Sequence, residues 1–258
     1  MPVLNSKTRP CPSPRREKCD ARIITHGTLH RAAAVLCALA LAACQALPPA
    51  ATATAPAAAT GLPASHQGKR YIIDAQASEI RLLVYRDGPM ARVGHNHVMV
   101  GRAQGEIRAA DTAAASGFSI EIPVDSLQVD APALRAEEGE DFAASVSDQA
   151  RKGTRDNMLG PDVLDAAHYP LIRIESVALR GPRWNPDVDA RITVRGRTSD
   201  LKFPAAVFEQ RDSFTVIAAF RVLQTALGMQ PYSVLGGALS VRDAIEVRIR
   251  LVARPAPD

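Results

Sequence analysis

The sequence predicts an all-β protein, an antiparallel barrel of about eight strands with one or two short helices in a long connection. Three observations carry this. From Tyr71 onward apolar side chains recur with a period of two, the mark of strands with one dry and one wet face. Only one stretch, residues 132–168, breaks the period. Finally, so many short strands in one domain would leave long unpaired edges in an open sheet, which a barrel or sandwich avoids.

Taken in order, the first strand opens at Tyr71-Ile72-Ile73, and in the second Ile80, Leu82 and Val84 alternate with Arg81 and Tyr85. Further strands are expected at 95–100, 104–109, 171–179 and 199–208. Phe118, Ile120, Ile122 and Val124 alternate with Ser119, Glu121 and Pro123; Val188, Ala190, Ile192 and Val194 do so with Asp189, Arg191, Thr193 and Arg195. Phe214, Val216, Ala218, Phe220 and Val222 form another face. Ile245, Val247, Ile249 and Leu251 alternate with Glu246, Arg248 and Arg250 to make the last strand. Residues 132–168 are rich in Ala, Asp, Glu, Gln and Arg and read as the helical connection. Residues 224–240, with Gly228, Pro231, Gly236 and Gly237, read as a bent loop before the final strand.

The N-terminal quarter has a different logic. Ala32 to Ala43 is a run of twelve apolar residues preceded by Arg31, the length of a signal h-region and too short to span a bilayer. It ends in Leu41-Ala42-Ala43-Cys44, which resembles the lipobox of bacterial lipoproteins, where the cysteine is acylated and becomes the first mature residue. The expectation is a signal peptide over 1–43, a lipidated and disordered Ala/Pro/Thr tether over 44–68, and a folded domain over 69–258. Gln45, in place of aspartate after the cysteine, resembles lipoproteins sorted to an outer rather than an inner membrane. The expected location is therefore the periplasmic face of a membrane, with the lipid on Cys44 as anchor. The tether is uncharged but for its end and without aromatic residues, so it cannot bury enough surface to offset its ordering entropy.

Setting the leader aside changes the composition. Residues 1–44 hold seven Lys/Arg against Glu17 and Asp20, so the 31 basic and 27 acidic residues of the chain leave 24 against 25 for the rest. The mature part is near neutral, which removes the charge argument for nucleic acid as a partner. All four cysteines, Cys11, Cys19, Cys37 and Cys44, lie in the leader or at its edge. The domain thus has no disulfide, thiolate zinc site or cysteine nucleophile, and must rest on a packed core.

Several motifs in the domain resemble the YceI-like family of exported, lipocalin-like proteins. Tyr71-Ile72-Ile73-Asp74 with Ser78 is similar to that family's first strand. Asp156-Asn157-Met158-Leu159, then Tyr169-Pro170 and Ile172, Ile174 and Ser176, resembles its central motif, with Ile174 where an aromatic residue is usual. Ile192-Thr193-Val194-Arg195-Gly196-Arg197-Thr198, then Leu201 and Pro204, is similar to its strand–turn–strand unit. Leu227-Gly228-Met229 resembles a Phe-Gly-Ile motif, with Ala226 where an acidic residue is common. The resemblance spans roughly residues 70–253. It implies a lipocalin-like barrel whose apolar interior holds a polyisoprenoid or similar lipid; no cofactor is assigned. The inward sets, mostly Val, Ile, Leu and Ala with few rings, suit a lining that leaves room for a flexible hydrocarbon.

The most conspicuous polar segment is Gly94-His95-Asn96-His97-Val98-Met99. On a strand, His95, His97 and Met99 face one way. With Tyr232 they are the candidate residues for a pocket mouth that fixes a polar headgroup. A metal would need a third ligand, for which His168 is the one other histidine of the folded part, and no metal is assigned. Glu137, Glu138, Glu140 and Asp141 lack the spacing of a calcium loop and read as a solvated helix face. Arg151, Lys152 and Arg155 read as surface charge balancing those acids. GxSxG, HExxH, phosphate-loop and dinucleotide motifs are all missing, so no catalytic residue is assigned. The function expected is non-catalytic binding or transport of an apolar amphiphile, polyisoprenoid or quinone-like. A metal protein using His95 and His97, and an interaction module with a solid core, are the alternatives.

Overall fold

Corners break the long strands of this sheet into shorter pieces. The computed structural model describes residues 68–257; the signal segment, Cys44 and tether residues 45–67 lie outside the described residues. Thirteen strands form one sheet: β1 (Lys69–Ile73), β2 (Glu79–Asp87), β3 (His97–Gly101), β4 (Gln104–Ala109), β5 (Gly117–Pro123), β6 (Gln128–Val129), β7 (Leu171–Arg180), β8 (Asp187–Val194), β9 (Arg197–Pro204), β10 (Ala206–Gln210), β11 (Ser213–Leu223), β12 (Ser233–Val234) and β13 (Leu239–Pro255). Each ladder is antiparallel. The count exceeds the expected eight because single runs are interrupted. β1 and β2 both pair with β13, β4 and β3 pair with β1 and β2 respectively, and only Ala205 separates β9 from β10. β9 pairs with β8 and β10 with β11, but no ladder joins β9 to β11 among the described residues. Hydrogen bonding therefore does not close the barrel along that stretch.

The corner between β1 and β2 explains the Asp74…Ser78 spacing. Asp74 Oδ1 accepts the N–H groups of Gln76 and Ala77 at 3.1 and 3.2 Å, an Asx-type turn, and Oδ2 accepts from Arg254 at 2.9 Å. Ser78 is buried and exchanges hydrogen bonds with both backbone groups of Val252 on β13. The β8–β9 turn is equally specific. Val194 pairs with Arg197 across two residues at positive φ, Arg195 (51°) and Gly196 (69°), the hairpin turn whose twist matches its strands.

Inward side chains of the alternating strands make the main core, with Ile80, Ile120, Ile174, Val188, Ala190, Ile249 and Leu251 all buried. A smaller cluster lies on the opposite face of β2 and β3, where Leu83, Val98 and Val100 pack beneath Phe142. Its cover is the long connection, which holds α1 (Pro132–Ala136), a 3-10 turn at Glu140–Phe142 and α2 (Asp148–Leu159). Ser147 starts α2 by accepting the N–H of Ala150 at 3.2 Å. No described helix is long and apolar enough to cross a membrane.

Three expectations need correction here. The acidic run follows α1 and is solvated only in part: Glu137, Glu140 and Asp141 are exposed, but the Glu138 side chain is only 3% exposed, held between Arg81 (2.5 Å) and Arg248 (2.7 Å). Burial with two guanidinium partners supplies what water otherwise would. Nor do the basic residues of α2 balance those acids. Arg151 pairs with Asp148 one turn away, Lys152 pairs with Asp156 at 2.6 Å, and Arg155 donates to the carbonyl of Asp125 at 2.7 Å. Finally, the last strand starts at Leu239, well before Ile245, because β12 folds back on it at Val234↔Leu239 and a register shift between Val241 and Ile245 absorbs the irregular part.

Candidate functional site

Two cavities occupy the barrel interior, of about 220 Å³ and about 120 Å³. Five side chains, Ile80, Ile174, Leu201, Phe220 and Ile249, line both and form a waist between them. Phe220 stacks on Phe203 there, with centroids 4.4 Å apart and planes 12° from parallel. Ile174, where the resemblance calls for an aromatic ring, is part of this waist. Mostly apolar cavities of this kind admit hydrocarbon.

The larger cavity is walled by aliphatic residues from β2, β5, β7, β8, β11 and β13 and covered at one side by Thr154, Asn157 and Met158 of α2. This is what the Asp156–Leu159 motif does in the fold. Leu227 and Met229 also face this cavity, around Gly228, whose φ of 73° suits glycine and which sits tightly against Arg197. Asp243 pins this wall by accepting the Thr225 N–H at 2.9 Å and its hydroxyl at 2.6 Å. Those bonds from Thr225 hold the Asp243 carboxyl below its ordinary value of 3.8. A depressed folded-state pKa stabilises fully above the ordinary value and is lost as pH falls through the folded one. The Thr225 amide proton is therefore expected to titrate with a midpoint below 3.8 in NMR spectra. A midpoint at or above 3.8 would contradict this anchor.

Of the four residues picked for a pocket mouth, His97, Met99 and Tyr232 line the larger cavity, with Tyr232 arriving from the loop before β12. His95 does not line it. It was expected on the strand, but β3 begins at His97, where the ladder with β2 ends at Val84↔His97. Beyond that point the Asn96 side chain replaces a strand partner, accepting the Arg86 N–H at 3.0 Å. His95 instead lays its ring edge-on to His97, centroids 4.6 Å apart, and its Nε2 is buried without a hydrogen-bond partner. Burial, then the neighbouring His97, pushes its imidazole below the ordinary value of 6.5.

Behind His97 lies a buried charged group that sequence reasoning missed. Asp130 is fully buried, at positive φ (50°), and its Oδ2 is 2.7 Å from His97 Nδ1. Its Oδ1 accepts from the Val98 N–H at 2.9 Å and from Arg135 at 2.7 Å. Arg135, also buried, donates onward to the carbonyls of Asn96, Phe142 and Ala144. Burial works against the charged form of Asp130, yet the bonds from His97, Val98 and Arg135 outweigh it and hold the carboxyl below its ordinary value. One signal was available: an Asp-x4-Arg pair that runs from just ahead of α1 into its last turn. Nothing in it identified the histidine as partner. His168, the third ligand considered, is exposed and pairs with Asp165 at 2.8 Å. The smaller cavity carries polar residues of its own, Arg108, Arg183 and Glu209, none of them singled out from the sequence.

The profile of the YceI-like domain matches residues 71–253. The chain belongs to the YceI-like family. Among solved structures, Burkholderia cenocepacia BcnA is similar at 18% identity and a TM-score of 0.49, over 70% of this chain and 98% of that one. A polyisoprenoid binding domain from Saccharophagus degradans implicated in plant cell wall breakdown is similar at 12% identity and 0.49, over 72% and 98%. The Campylobacter jejuni YCEI protein follows at 11% and 0.44, over 60% and 82%. No curated protein matches the chain. The candidate site of this YceI-like chain comprises the waist at Ile174 and Phe220 and the His95–His97–Asp130 group beside the larger cavity.

Proposed function

We propose that this protein is a non-catalytic carrier that sequesters an apolar amphiphile, a polyisoprenoid or quinone-like lipid, inside its barrel. In this proposal it is exported and held by a lipid on Cys44 at the periplasmic face of a membrane, the outer one in view of Gln45. The observation that carries the binding role is the pair of apolar cavities meeting at one waist. The solid-core alternative needs that space filled. Among the similar solved structures is one described as a polyisoprenoid binding domain.

Magnitudes favour a long chain. Each methylene removed from water contributes about 0.8 kcal/mol. About fifteen of them give about 12 kcal/mol, against an association penalty of at least about 4 kcal/mol, which puts the dissociation constant at about 1 μM or weaker. The test is mass spectrometry of organic extracts of the purified protein, followed by binding of a homologous series of long-chain alcohols. Affinity is expected to fall about fourfold per methylene removed. Val222→Trp, which places a large ring in the larger cavity, is expected to weaken binding at least about tenfold while the melting transition survives. No copurifying amphiphile, together with no uptake of any alcohol, would overturn the proposal.

A further inference from the structure

A buried imidazole nitrogen with nothing to bond is uncommon and asks for a partner. His95 Nε2 is such an atom, and beside it stand His97 and Asp130. One ligand atom from each of the three residues lies within 4.8 Å of the other two. Asp130 receives N–H donors from Val98 and Arg135, so its carboxylate is an acceptor and His97 Nδ1 must be the donor between them. The other nitrogen of His97, Nε2, is then the one that carries a lone pair in the neutral ring. A histidine oriented by a carboxylate through one ring nitrogen is the arrangement that metal sites use to fix tautomer and ring direction.

We propose that His95 and His97 bind a divalent transition-metal ion beside the larger cavity, with Asp130 as the carboxylate that orients His97. Two imidazoles select zinc, copper or nickel over magnesium and calcium, which prefer all-oxygen sets. Two protein nitrogens leave other positions for water or for a polar group at the end of the cavity. The site adjoins the cavity through His97, which lines it, while the His95 ring lies off the cavity wall.

The experiment uses the full chain with its four cysteines alkylated, since thiolates compete for zinc. Zn2+ is titrated by calorimetry into the chain and into the variants His95→Ala, His97→Ala and His168→Ala, each checked for its melting transition. The expected result is one Zn2+ site lost, or weakened at least about tenfold, in His95→Ala and in His97→Ala, and kept in His168→Ala. His ring proton signals, assigned by the same variants, should move with Zn2+ at His95 and His97 together. If an alanine variant unfolds, His95→Gln replaces it, and the ring signals of the unsubstituted protein remain decisive. Equal Zn2+ binding by all variants, loss on His168→Ala alone, or ring signals indifferent to Zn2+ would each overturn the proposal.

Discussion

Replacing Asp130 by asparagine is expected to destabilise the folded chain by about 3–5 kcal/mol, the usual effect of breaking a buried ion pair from one side. Asparagine keeps the shape and tolerates the positive φ of 50° at this position, so the loss isolates the charge. It leaves the buried Arg135 guanidinium without its carboxylate, and Arg135 is what ties Asn96, Phe142 and Ala144 to the strand edge. Urea unfolding with an unchanged slope and a lower midpoint checks this. A shift under 1 kcal/mol, on the order of a surface pair, would mean that the group is hydrated in solution. Because the same cluster anchors the cover over Leu83, Val98 and Val100, the first region to lose amide protection should be 130–146.

Phe220→Ala is expected to join the two cavities and let the barrel accept a longer chain. The ring lines both spaces and stacks on Phe203 at 4.4 Å, so its removal opens the waist without touching the outer walls. The variant should be about 3 kcal/mol less stable, the lower part of the range for such a truncation, because Phe220 is only partly buried. Native mass spectrometry with the alcohol series reads the outcome. The longest alcohol retained should lengthen by several carbons, and an unchanged limit would show that the waist lies elsewhere. The same substitution separates volume from stability, since a bound chain that fills the new space restores part of the lost melting temperature.

Much of this fold was legible because half-buried strands write their packing directly into the period of two. Ile80 and Leu82, the Phe118–Ile122 set, the Val188–Val194 set and the Ile245–Leu251 set all face inward as their alternation requires. The helical connection was visible as the absence of that period. Strand breaks were harder: the β1–β2 corner rests on Asp74 and Ser78 bonding to residues more than 170 positions away, and no local pattern reports such partners. The histidines show the same boundary. His97 and Met99 share a face with the cavity because a strand dictates it, whereas His95 leaves the strand because an asparagine side chain supplants the ladder. Glu138 was misread for an equivalent reason. Its two arginines come from β2 and β13, brought beside it only by the sheet.

By itself, then, the sequence determined the strand-rich class, the inward aliphatic sets, the disulfide-free core and the family, all of which follow from local periodicity and short motifs. Tertiary structure alone decided that the interior holds two spaces with a waist, that Asp130 stands behind His97, and that His168 does not. Those facts depend on side chains meeting across distant strands, and contacts of that kind leave no trace in the spacing of neighbours along the chain.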